Sequence, residues 1–95
     1  MPRVLIGHNQ KYNIFSTITN SPVFEKALTE KNLKEWHKQQ YGESSMLEFN
    51  KRVQRCKQNG TSSMIYKDLK SVISCNRAGI NERCVPYDEF IKKYL

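Results

Sequence analysis

Ninety-five residues are enough for one small domain, and a chain of that length buries only about 60–65% of its unfolded surface. Hydrophobic residues at 38% and aromatics at 11% argue against a wholly disordered tail, and a mean hydropathy of −0.72 with Val4-Leu5-Ile6 as the longest aliphatic run excludes a membrane-spanning helix of about 20 mostly apolar residues. Sixteen Lys and Arg against nine Asp and Glu leave a net charge of +7, which favours polyanionic partners.

Residues 3–18 read as extended. Val4, Leu5 and Ile6 form a short apolar run, Gly7-His8-Asn9-Gln10 supplies a turn, and Tyr12, Ile14 and Ile18 follow at even spacing with Phe15 breaking the alternation. A hairpin over 1–20 is the expectation, and since an isolated hairpin is marginal it must lie against the rest of the chain. Ser21-Pro22 reads as the start of a short helix carrying Phe24, Ala27 and Leu28. Asn32 with Glu35 resembles a capping arrangement for a second helix, whose Leu33, Trp36, His37, Gln40 and Tyr41 share one side and which Gly42 ends.

Ser45 and Glu48 offer a capping box for a helix over 45–58. On a 3.6-residue period its Met46, Phe49, Val53 and Cys56 gather within about 80° of arc. Lys51 and Arg55 point the opposite way, with Arg52, Gln54 and Gln58 on the flanks. Asn59-Gly60 is a stop signal. Thr61 or Ser62 would cap a further helix that buries Ile65, Tyr66, Leu69, Val72 and Ile73, shows Lys67, Lys70, Ser71 and Ser74 outward, and closes at Gly79. Pro86 opens a last short helix with Tyr87, Phe90, Ile91, Tyr94 and Leu95 as its apolar face. The expected fold is α+β, mostly α: one domain over 1–95, with a hairpin arm (1–20) packed on a helical body (21–95) of four to five helices.

The excess charge is unevenly placed. Arg3 and Lys11 give residues 1–24 a charge of +2, residues 25–44 cancel, and Lys51, Arg52, Arg55 and Lys57 against Glu48 give residues 45–57 a charge of +3. Lys67, Lys70 and Arg77 against Asp68 add +2, and residues 82–95 cancel. Three cysteines, Cys56, Cys75 and Cys84, form an odd set behind an N-terminus that lacks a secretory signal. That combination points to reduced thiols in the cytoplasm. Their spacing matches no zinc motif, so no metal or cofactor is expected. His8 falls in the turn and His37 at a helix border. No Gly-rich phosphate loop, H-E-x-x-H or G-x-S-x-G occurs, and Asp88-Glu89 are explained by the dipole of the last helix. A non-enzymatic protein is the expectation.

From Leu33 to Lys57, the order of Trp36, Tyr41, Gly42, Ser44, Phe49, Lys51, Arg52 and Val53 resembles helix-turn-helix proteins, particularly small phage-type regulators. Lys38 stands where that family usually has a small residue and Glu43 where it has an apolar one. Phe49 and Val53 arrive one residue late, which implies a longer turn. The resemblance implies a DNA-binding transcription regulator that reads duplex DNA with the helix 45–58. Lys51, Gln54, Arg55 and Gln58 would contact base edges or backbone; Arg52, Lys57, Lys67 and Lys70 would neutralise phosphates. Arg3 and Lys11 would touch the backbone as a wing. The competing reading is a small inhibitor or adaptor that binds an acidic surface of a larger protein such as a polymerase or nuclease, using Phe90, Ile91, Tyr94 and Leu95. A membrane partner is not expected, because no helix joins a large apolar face to a dense basic one.

Overall fold

A computed structural model describes residues 3–63, 66, 68–74 and 76–95. Two six-residue strands, β1 (Arg3–His8) and β2 (Lys11–Ser16), pair antiparallel through a turn at Asn9 and Gln10. Both turn residues hold positive φ (48° and 63°), so the reversal is tighter than four residues and Gly7 and His8 belong to the strand. Leu5 sits opposite Ile14, and Val4 opposite Phe15. Side chains alternate between the faces of a strand, so the apolar runs in β1 and β2 supply both faces at once. That explains the broken alternation at Phe15: the sheet is buried on both sides.

One face packs Leu5, Tyr12 and Ile14 against Leu33 of α1 (Glu30–Tyr41) and against Phe49, Val53 and Cys56 of α2 (Met46–Asn59). The other packs Ile6 and Phe15 against Leu69, Val72 and Ile73 of α3 (Leu69–Ile73) and against Phe90 and Tyr94 of α4 (Tyr87–Tyr94). The fold is α+β, a sheet between two helical layers, with four α-helices among the described residues. No helix among those residues is long and apolar enough to cross a membrane.

The structure departs from several of these expectations. Ser21-Pro22 does not open a helix; it forms a third strand, β3 (Ser21–Pro22), against Phe15 and Ser16. The following segment stays non-helical, bending over residues 23–26, because β2 needs partners at both ends of it: Val23 donates to the Ile14 carbonyl (2.7 Å), and Leu28 and Tyr12 exchange amide bonds (2.7 and 2.8 Å). Between those contacts the chain bulges away from β2, and Asn13, fully buried, fills the gap. Its Oδ1 accepts from the amides of Ile14 (2.7 Å) and Phe24 (3.2 Å), and its Nδ2 donates to the carbonyls of Phe24 (3.0 Å) and Tyr94 (3.1 Å).

Thr61 and Ser62 likewise cap no helix. Thr61 bridges Ile6, Ser62 exchanges bonds with Leu5 through its amide and hydroxyl, and Gly60 accepts from Gly7. An unpaired strand edge is costly to bury, and this segment covers the outer edge of β1. The expected long helix shrinks to α3, capped by Asp68, which accepts from the Ser71 amide (2.8 Å). Tyr66 is exposed, Ile65 lies outside the described residues, and Gly79 precedes a 3-10 turn instead of closing a helix. The caps of the two long helices also differ from expectation. Thr29, not Asn32, caps α1 and accepts from the Asn32 amide (3.2 Å). Ser45 makes no capping bond to α2.

Candidate nucleic-acid interface

α2 is 14 residues long, about 21 Å at 1.5 Å per residue. It ends at Gly60 in the left-handed conformation (φ 81°), which glycine adopts without a Cβ penalty. Phe49, Val53 and Cys56 anchor one side in the core. Leu47, Lys51, Gln54 and Gln58 stand exposed on the side facing away. Arg55 is half-buried at the margin of that face, where its Nε donates to the Ser62 carbonyl (3.2 Å). Among the described residues, neither Lys51 nor Arg55 forms an ion pair.

The approach to α2 is fixed by a hydrogen-bonded clip. α1 stops at Gly42 (φ 84°), and a 3-10 turn over Glu43–Ser45 leads into α2. The Ser45 hydroxyl donates to the Gly42 carbonyl (2.7 Å) and lies 3.1 Å from His37 Nε2. One hydroxyl carries one proton, so His37 Nε2 is the donor in that second bond. The imidazole stacks on Phe49, 4.1 Å between centroids. Burial lowers its pKa, and the Arg52 charge lowers it further. Lys38 and Glu43, which depart from the helix-turn-helix pattern, pair with each other in solvent (2.7 Å).

The other basic residues do not join the α2 face. Lys57 turns to Glu30 (2.7 Å), which Lys34 also holds (3.3 Å). The hydrogen bond from Lys57 and, secondarily, the contact with Lys34 keep the Glu30 carboxyl below the usual range. Lys70 belongs to the α3 layer across the sheet, with its Nζ 6.0 Å from the Tyr87 ring. Arg52 lines a small cavity with Arg3, Trp36, His37 and Tyr41. Arg3 pairs with Ser16 and Lys11 with His8, so the two expected wing residues sit at opposite ends of the hairpin. Lys67 lies outside the described residues. Among the described residues, the α2 and α3 cations therefore form no single strip: Lys51 and Arg55 share one face with Gln54 and Gln58, Arg52 flanks it, and Lys57 and Lys70 point elsewhere.

Sequence reasoning missed a cleft of about 790 Å³ between the hairpin turn, the start of α1 and the end of α2. No local signal announces it, because Lys11, Lys31 and Lys57 come from three separate segments. Among the described residues, no group of three or more His, Cys, Asp or Glu could hold a metal ion. The C-terminal apolar residues are seated in the second core cluster, with Phe90 and Tyr94 buried and Ile91 and Leu95 half-buried against it. No protein-family model, curated protein or solved structure matches this chain.

Proposed function

We propose that this protein is a small non-enzymatic regulator that binds duplex DNA through the outward face of α2. The observation that carries the reading is the exposed row Lys51, Gln54 and Gln58, with Arg55 beside it, on a helix whose opposite side is locked into the core. A single helix fits the major groove, and Lys, Arg and Gln are side chains suited to base edges. Arg52 and Arg3 supply phosphate contacts beside that face, while Lys57 contributes less because Glu30 already occupies it. The reading implies action in the cytoplasm on an accessible duplex. An acidic protein surface is the competing partner; with Phe90 and Tyr94 buried, it would have to use the same basic face.

Replacing Lys51→Ala together with Arg55→Ala is expected to weaken duplex binding several-fold while the thermal melt stays cooperative. Because Arg55 also holds the Ser62 carbonyl, Lys51→Ala with Gln54→Ala serves as a companion pair confined to exposed positions. Undiminished duplex binding by both pairs would exclude α2 as the reading helix.

A further inference from the structure

The cleft at the hairpin turn gathers three lysines, of which the proposed duplex contact draws only weakly on Lys57. Its volume, about 790 Å³, falls within the roughly 300–1,000 Å³ of small-molecule sites. Lys11 enters it from the start of β2, Lys31 from the first turn of α1, and Lys57 from the last turn of α2. Among the described residues, Glu30 is the one carboxylate on its wall, so three ammonium groups against one acid leave a local charge of +2. Both Glu30 oxygens are engaged, by Lys57 and Lys34. Lys11 and Lys31 form no ion pair among the described residues.

The neutral groups on the wall add donors. Burial and then the nearby Glu30 charge raise the Tyr12 pKa, so its phenol keeps its proton at neutral pH. Thr29 Oγ1 accepts from the Asn32 amide, which leaves its own O–H to donate. A cleft walled by one sign of charge focuses the field on an incoming counter-ion, and lysine binds phosphate as a point charge.

We propose that this cleft is a binding site for a phosphate-bearing ligand of nucleotide size, held by Lys11, Lys31 and Lys57. Binding needs no movement of the core, because all three lysines are exposed. It draws Lys57 away from Glu30, so Glu30 acts as an internal competitor for the ligand's charge. The inference is independent of duplex reading by α2, and no duplex enters its test.

Calorimetric titration with pyrophosphate, ADP and adenosine tests it. Pyrophosphate and ADP are expected to bind and adenosine is not. Lys11→Ala with Lys31→Ala, two exposed changes that leave the fold intact, should weaken ADP at least about tenfold, since each removes a close opposite charge. Glu30→Gln removes the competitor and should tighten ADP about fivefold, the effect of one unit charge at about 4 Å in water. The gain in affinity is the informative sign, because merely loosening the wall would lower it. Absence of ADP binding at millimolar concentration, equal binding of adenosine, or unchanged binding by the double lysine variant would overturn the proposal.

Discussion

Replacing Asn13→Ala tests the packing that keeps the sheet between its two helical layers. The buried side chain satisfies four backbone groups: the Ile14 amide and the Tyr94 carbonyl in the interior, and the amide and carbonyl of half-buried Phe24. The Ile14 and Phe24 bonds close the gap where the chain bulges from β2; the Tyr94 bond ties the end of α4 to the sheet. Leaving a buried donor or acceptor unsatisfied costs about 1–3 kcal/mol. The two interior groups at about 1–2 kcal/mol each, with the Phe24 pair partly rescued by solvent, give a loss of about 2–4 kcal/mol. A domain of this size has about 5–10 kcal/mol in total, so the variant should retain a folded state with a sharply reduced urea midpoint. Urea unfolding followed by far-ultraviolet circular dichroism measures the difference, with the denaturant slope checked for constancy. Asn13→Asp keeps both acceptor functions, loses both donors and places a charge against two carbonyls, so it should destabilise as well. A loss below about 1 kcal/mol for Asn13→Ala would refute the claim that the two interior bonds are buried and irreplaceable.

Two further predictions concern titratable groups near α2. The His37 pKa lies below its ordinary 6.5 because burial and the Arg52 charge disfavour the imidazolium. The unfolded chain therefore takes up a proton that the folded chain refuses. Stability should be level above about pH 7 and fall as pH drops through 6.5, and His37→Gln should abolish that slope. A wild-type midpoint flat between about pH 5.5 and 7.5 would contradict the burial of His37. Burial pushes the Cys56 thiol up to about 12, whereas Cys84 is exposed. Iodoacetamide at mildly alkaline pH should label Cys84 in the native protein and reach Cys56 only after denaturation. Mass-spectrometric mapping that finds Cys56 labelled at the unfolded rate would show the seam between α2 and the sheet to be open.

What could be read from the residues depended on whether the deciding forces were local. The 3.6-residue spacing of Phe49, Val53 and Cys56 places α2 and its buried side, and Pro86 with Phe90 and Tyr94 does the same for α4; the outward row is only partly legible, because Gln54 and Gln58 join Lys51 on it while Arg55 is drawn to its margin by the Ser62 carbonyl. The hairpin was legible from Asn9 and its flanking apolar runs, yet its central position was not, because a second helical layer on the Phe15 face is a long-range fact. Ser21-Pro22 and Thr61-Ser62 carried helix-start chemistry, but open strand edges on β2 and β1 captured those segments and overrode it. Lys57 looked like part of a basic face until Glu30, 27 positions earlier in the chain, was brought to it. The cleft was illegible for the same reason: its three lysines converge only through the tertiary fold.

The central claim is that the outward face of α2 binds duplex DNA, and titrating the intact protein with labelled duplex, single strand and RNA at two salt concentrations tests it most directly. If Arg3 and Arg52 each neutralise one phosphate, the logarithm of the duplex affinity should fall with the logarithm of salt at a slope of about −1.8, and duplex should be the tightest of the three. Weak, salt-insensitive binding to all three would contradict the account.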